Sequence, residues 1–360
     1  MTSTWETIEK ERDNGETVKM QAPVIVSASR STDIPAFYAD WFFERLKRGY
    51  SAWTNPFNGK QSYISYDKTR FIVFWSKNPR CLLTYKDELK KRGIHCYIQY
   101  SLNDYENDGL EKNVRPLAER IETFKLLVDA FGKGSVVWRF DPLVLTKDIS
   151  IEDLIAKIDN IGSELYGYTE KLVFSFADII SYRKVQNNLK TNNIDYVDWS
   201  LEMMQEFASK LVELNKKWGY KLATCGEAAS FEGIEHNHCV DDELIIRLAY
   251  NDKPLMKFLG VEIIDLNNQV VEDLFADYIE VDIPADAIAL GNGLFAVKHK
   301  NNKDKGQRLH CGCMVSKDIG EYNTCIHKCE YCYATASKQL AEINYRQHLR
   351  NPFSETITGR

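Results

Sequence analysis

No apolar run in this chain approaches the roughly 20 residues that span a bilayer. Residues Met1 to Met20 are polar and charged and lack the apolar centre of a secretory leader. Low-complexity tracts and repeats at solenoid or propeller spacing are also missing, which excludes disordered and solenoid classes. Basic charge is not in excess: 46 Lys and Arg against 52 Asp and Glu give a net charge of −6. A surface made for duplex nucleic acid needs clustered Lys and Arg. Nucleic acid is therefore possible as a partner, through a local basic cleft, but not favoured. These absences predict a folded cytoplasmic protein with no membrane partner.

The 360 residues, 44% of them hydrophobic, can build one large domain or a domain with an appendage. Short apolar runs alternate with longer amphipathic stretches. Val24–Ala28, Phe71–Trp75, Cys96–Tyr100, Ser135–Phe140, Lys171–Phe176 and Tyr220–Cys225 read as strands. Pro35–Lys47, Cys81–Arg92, Arg115–Ala130, Ile151–Ile161 and Leu201–Trp218 read as the helices between them. About six such units predict an α/β fold, and a βα barrel, complete or partial, is the expected form. A doubly wound open sheet would give much the same pattern. The barrel is preferred because polar residues recur just after the strands, where βα barrels carry their active groups.

The expected organisation is a polar extension over residues 1–20, then the barrel over 21–297 with a helical insertion around 241–275. Tyr278 to Ile288 could add a strand or two. A charged linker covers 298–308, and residues 309–360 form a Cys-rich segment with a closing helix from Ala334 to Arg350. That segment is expected to cap the barrel mouth.

Nine cysteines are unevenly placed, with Cys311, Cys313, Cys325, Cys329 and Cys332 in one short stretch. In a reducing compartment, an odd number clustered in this way points to a metal site rather than to disulfides. Cys325-Ile-His-Lys-Cys329-Glu-Tyr-Cys332 has the spacing Cys-x3-Cys-x2-Cys. Three thiolates on a tight loop can ligate three irons of a [4Fe–4S] cubane and leave the fourth open. The rival is a structural zinc knuckle completed by His327 or Cys313. A second group, Cys225, Cys239, Cys311 and Cys313, could hold another iron–sulfur cluster or a zinc ion. Its alternative is a buried Cys225 and an incidental Cys239. Cys81 and Cys96 are expected only to pack, and His236 and His238 form a low-specificity pattern before Cys239.

Among the strand-end residues, Arg30, Asp33, Arg139, Asp141 and Glu227 are candidate catalytic groups, and Lys77 is a weaker one. Arg30 and Arg139 could anchor a cofactor carboxylate or a substrate anion through the planar guanidinium fork. The alternative is a rim of salt bridges. Trp53, Trp75 and Trp138 read as core, although a rim Trp could stack on an aromatic ligand.

The cysteine loop resembles that of the radical S-adenosylmethionine superfamily, in spacing and in the aromatic Tyr331 just before the last cysteine. Tyr322-Asn-Thr-Cys-Ile-His-Lys-Cys-Glu-Tyr-Cys-Tyr333 is similar to the loop of spore photoproduct lyase-like members. The rest of the chain resembles a bacterial family known as domain of unknown function 1848. This rests on Ser27–Pro35, Asn55-Pro-Phe-Asn58, Val73–Pro79, Arg139-Phe-Asp-Pro142 and Cys311–Gly320. The superfamily resemblance implies a [4Fe–4S] cluster on Cys325, Cys329 and Cys332, with Tyr331 beside S-adenosylmethionine. It further implies reductive cleavage of that cofactor, hydrogen abstraction from an unknown substrate, and an electron donor such as a flavodoxin or ferredoxin. The superfamily usually places its loop after the first barrel strand, whereas here it lies near the C-terminus. Two other functions fit the residues: a non-radical iron–sulfur or zinc protein with a redox or binding role, and a barrel hydrolase or lyase whose cysteines are structural.

Overall fold

The computed structural model describes residues 5–55, 58–268, 283–307 and 311–360. Pro56 and Phe57, the end of the expected helical insertion at Phe275, and the start of the strand expected from Tyr278 lie outside them.

Eight strands form the central sheet: β1 Ile25–Ala28, β2 Phe71–Ser76, β3 His95–Ser101, β4 Val136–Leu143, β5 Lys171–Phe176, β6 Lys221–Thr224, β7 Glu235–His236 and β8 Lys317–Asp318. Their spatial order is β8-β1-β2-β3-β4-β5-β6-β7, and every neighbouring pair is parallel. Successive side chains point to opposite faces. Val26, Ile72, Phe74, Ile98, Tyr100, Trp138 and Phe174 enter one core, while Ile25, Phe71, Val73, Tyr97, Val137 and Val173 enter another. Burial on both faces is why these strands read as continuous apolar runs.

The crossover helices between β1 and β6 lie on the first face. Helices Ala39–Arg48, Leu82–Lys91, Leu117–Phe131, Ile151–Glu164 and Leu201–Asn215 send Trp41, Phe42, Leu89, Phe124, Leu127, Leu154, Ile158, Phe207 and Leu211 into that core. A doubly wound sheet divides its helices between both faces; here the β7-to-β8 connection alone places helices, Asp242–Ala249 and Lys253–Leu259, on the second face. The ladder nevertheless ends on β7 and β8, which do not pair, and no closed barrel forms among the described residues. Strands run in sequence order except β8, which brings the C-terminal segment beside β1: Lys317 pairs with Val26 and Asp318 with Ser27.

Val240, Ile245, Ile246, Leu255 and Leu259 cover the second face, from helices Asp242–Ala249 and Lys253–Leu259 and the residues before them. The helical expectation for the region fails after Leu259. Gly260 ends the helix with φ 68°, and Val261–Asp265 is a strand paired antiparallel with Leu294–Lys298. The β-branched Val-Glu-Ile-Ile run suits the pleated pairing better than another helical turn. At the other end of the chain, Glu6–Glu11 and Thr17–Ala22 form a hairpin that joins Tyr50–Thr54 and Gln61–Ser65 in a four-stranded sheet. No helix among the described residues is long and apolar enough to cross a membrane.

Candidate metal centre at the carboxyl edge of the sheet

Because the strands are parallel, the segments following β1 to β6 emerge along one edge. The cysteine loop reaches that edge through β8. Asp318, the last residue of β8, accepts hydrogen bonds from Ser29 Oγ at 2.8 Å, Arg30 N at 2.9 Å and Gly320 N at 2.9 Å. Trp53 Nε1 donates to Gly320 O at 3.0 Å. A Cβ on Gly320 would lie 1.9 Å from Ser29 Oγ, so this close passage of chain against chain requires glycine.

Beyond Gly320 the loop is fastened residue by residue. Thr324 Oγ1 lies 2.6 Å from Thr32 Oγ1, and Tyr38 OH donates to Thr324 O at 2.7 Å. Asn113 Nδ2 donates to Ile326 O at 3.0 Å, and Glu330 N donates to Leu110 O at 2.9 Å. The fully buried Glu330 carboxylate meets Lys112, Lys338 and Asn192. Asn323 and Lys328 hold φ 57° and 58°, left-handed values uncommon outside glycine, which let the chain turn tightly around the cysteines.

Cys329 is buried, with Cys325 and Cys332 half-buried, and all three are free thiols. Burial pushes the Cys325 and Cys329 thiols up; the positive charge of Lys77 opposes this at Cys329, and the other two loop thiols add to it there. The three sulfurs therefore sit within charge range of one another. Buried thiols of this kind ionise when a metal supplies the balancing charge. The donor set fits an iron–sulfur cluster: three soft ligands on one loop, with no fourth cysteine in it.

His327, considered above as a fourth zinc ligand, is already engaged. Its Nε2 lies 2.7 Å from Asp33 Oδ2 and its Nδ1 lies 3.2 Å from Asn113 O. Cys313, the other candidate, belongs to the second cysteine group. The zinc-knuckle reading thus loses both proposed completing ligands.

Asp33 is held through both carboxylate oxygens. Its Oδ1 caps the helix Ile34–Phe37 through Ala36 N at 3.0 Å, and its Oδ2 also accepts from Lys77 N at 2.7 Å. Burial would raise its carboxyl, but the His327, Ser76 and Lys77 hydrogen bonds outweigh this and hold it below its usual range. Glu227 likewise turns inward and accepts from Phe176 N at 3.4 Å.

Tyr331 packs into a buried polar network that the sequence did not signal. Its hydroxyl donates to Glu111, receives Asn103 Nδ2 at 3.1 Å, and its ring lies 5.5 Å from Lys77 Nζ. Lys77 Nζ bonds the same Glu111 oxygen at 2.7 Å. Burial alone would raise the Glu111 carboxyl, but Lys77, Arg120 and Tyr331 keep it lowered. Glu111 falls beyond the strand end, inside a loop with no chemical motif.

Arg139 is buried in β4. It pairs with Asp141, donates to Gln99 Oε1 at 3.2 Å and reaches Cys239 Sγ at 3.4 Å. Asp141 also accepts from Ser175. Arg30 and Arg139 lie 5.1 Å and 5.3 Å from the ring of Trp75, whose indole donates to Ser27 Oγ at 3.0 Å. Arg30 feels the charges of Asp318, Cys313 and Cys239, and Tyr333, the neighbour of Cys332, donates to Arg30 O at 3.5 Å. Trp138 is core. Cys81 donates to Pro35 O at 2.8 Å, and Cys96 packs on the first core. His236 is exposed and lies 3.0 Å from Ser230 Oγ, whereas His238 groups with Asp241 and Asp242.

The second cysteine group is gathered by the fold. Cys225 and Cys239 sulfurs are 2.9 Å apart, Cys239 N donates to Cys313 Sγ at 3.1 Å, and Cys311 stands two residues from Cys313. Hydrogen bonds from its partners hold the Cys239 thiol low, and the Cys313 bond brings Cys311 down to about 6.

No curated protein and no solved structure matches the chain. One family model does, over residues 25–334, a span that includes the strand-end residues, both cysteine groups and the pinned loop. The chain belongs to the family described as Domain of unknown function (DUF1848).

Proposed function

We propose that this protein is a radical S-adenosylmethionine-type enzyme that carries a [4Fe–4S] cluster on Cys325, Cys329 and Cys332. The observation that carries this reading is the seating of the three-cysteine loop on the carboxyl edge of a parallel sheet, directly after β8. Although β8 comes late in the chain, it is the outermost strand next to β1. The loop therefore follows the first strand in space, as in a circularly permuted order, which removes the main objection raised by its C-terminal position.

The sheet, whose crossover helices between β1 and β6 share one face, is read as a partial barrel whose mouth the C-terminal segment covers. When bound, the cluster supplies an open iron and an electron for reductive cleavage of the sulfonium of S-adenosylmethionine, with hydrogen abstraction from a substrate as the outcome. The chain's own residues hold and orient. His327, pinned by Asp33, fixes the loop between the first two thiols. Tyr331 is held against Glu111 and Asn103 and flanks the cofactor. Arg30 near Trp75, with Arg139 buried behind it and paired with Asp141, is the cationic group assigned to the cofactor carboxylate or a substrate anion. A flavodoxin or ferredoxin is the electron donor in this reading.

The test is product analysis. Anaerobic protein incubated with dithionite and S-adenosylmethionine yields 5′-deoxyadenosine by mass spectrometry, and Cys329→Ala yields none. Equal amounts from both proteins would sink the proposal.

A further inference from the structure

The second cysteine group supplies no ligand to that cluster, although Arg139 touches Cys239. Its members come from distant parts of the fold. Cys225 follows β6, Cys239 lies just before helix Asp242–Ala249, and Cys311 and Cys313 precede β8. Cys239 and Cys313 are 74 positions apart, yet their residues touch, and Met314 N donates to Val240 O at 2.9 Å beside them. The chain leaving β7 and the chain entering β8 thus meet on the second face of the sheet. Tyr97 OH and Gln99 Nε2 fix Cys239 O there, each at 2.8 Å.

We propose that Cys225, Cys239, Cys311 and Cys313 bind a single tetrahedral zinc ion that ties the two ends of the 240–310 insertion to the end of β6. Cys225 and Cys239 sulfurs are 2.9 Å apart, Cys313 Sγ takes the Cys239 amide at 3.1 Å, and Cys311 stands two residues from Cys313. One ion with bonds of about 2.3 Å holds its thiolates about 3.8 Å apart, so ligation widens the 2.9 Å Cys225–Cys239 contact and draws the outer sulfurs inward, since no three of the four lie within 4.8 Å of one another. A cubane places each thiolate on a different iron and would drive these touching sulfurs well apart.

The surroundings are those of bound thiolates. Cys239 Sγ faces Arg139 Nη1 at 3.4 Å and Asn237 Nδ2 at 3.3 Å, and Cys313 Sγ accepts the Cys239 amide. Donors aimed at sulfur are the outer-shell partners that orient and charge-balance metal thiolates. Zinc with four thiolates leaves two negative charges, and the guanidiniums of Arg30 and of Arg139, the latter shared with Asp141, are the cations nearest to offset them. Arg30 Nη2 is buried without a hydrogen-bond partner. The residue between the last two ligands must be small: a Cβ on Gly312 would lie 2.1 Å from the His238 ring.

The experiment uses full-length chain in which Cys325, Cys329 and Cys332 are all changed to Ala, so that the loop carries no metal. Elemental analysis is expected to find one zinc per chain, and Co2+ added after zinc removal to give tetrahedral thiolate–cobalt bands. Alkylation with iodoacetamide, read by peptide mass spectrometry, is expected to spare the four cysteines until a chelator is added. This readout uses no substitution at the site and is independent of whether Cys239→Ser folds. Absence of both zinc and cobalt binding, or equal labelling with and without chelator, overturns the proposal. So does iron in place of zinc in this variant. None of these outcomes bears on the cluster loop, which the variant lacks.

Discussion

His327 Nε2 lies 2.7 Å from Asp33 Oδ2, so a side chain from inside the cysteine loop is locked to the segment that follows β1. Both groups are nearly inaccessible to solvent. Removing one partner leaves a buried polar group short of a hydrogen bond, which costs about 1–3 kcal/mol. Asp33→Asn and His327→Ala are therefore expected to lower unfolding free energy by that order and to reduce iron retained after anaerobic reconstitution.

Asp33 also sets an acid dependence. Its folded carboxyl is held below the ordinary value of 3.8, so the stabilisation is present above pH 3.8 and is lost as pH falls through the lower folded value. Asp33→Asn flattens the stability curve in that window, measured by denaturant unfolding at a series of pH values. An unchanged acid limb would refute this role for the pair.

Lys77 and Glu111 form the second brace, beneath Tyr331. Lys77→Met leaves the Glu111 carboxylate buried with Arg120 at 3.8 Å as its remaining ion-pair partner, and a loss of about 3–5 kcal/mol is expected. Because Tyr331, Lys77 and Glu111 share one oxygen, the effects of Lys77→Met and Tyr331→Phe should not add. A double-mutant cycle in urea measures the coupling; additivity would show that the network is not one unit.

Gly320→Ala tests the junction of β8 with β1. The added methyl must displace Ser29, and overpacking of this kind costs about 1–3 kcal/mol. Ser29→Ala in the same chain is expected to recover part of that loss by removing the clashing oxygen, as thermal unfolding would report.

Much of this arrangement was legible in the sequence. The six principal strands and their helices follow from runs such as Phe71–Ser76, because burial on both faces leaves a continuous apolar signature. The gathering of Cys225 and Cys239 with Cys311 and Cys313 was an open alternative on sequence grounds, since spacing says nothing about chain segments that meet after long excursions. β8 was not visible: Lys317–Asp318 is two polar residues long and is a strand only through pairing with β1. Glu111 and Asp318 were missed for the same reason, since their contacts come from position rather than from local pattern. The strand Val261–Asp265 was masked by the helices that precede it.

Lys317 offers a titration that reports on the same junction. Burial lowers its ammonium to about 8, and its Nζ sits 3.7 Å above the Trp53 ring. The unfolded chain holds this proton up to 10.5, so stability on this account rises with pH between about 8 and 10.5. Reductive methylation with carbon-13 and NMR titration should find one lysine near 8 that disappears in Lys317→Met. A full set of lysines near 10.5 would contradict it.

The central claim is an open-iron cluster on Cys325, Cys329 and Cys332. Its most direct test is low-temperature electron paramagnetic resonance of anaerobically purified, dithionite-reduced protein, with and without S-adenosylmethionine. The account predicts a [4Fe–4S] signal that shifts on addition of the cofactor and vanishes in Cys329→Ala. A reduced protein with no iron signal, or with one indifferent to the cofactor, would contradict it.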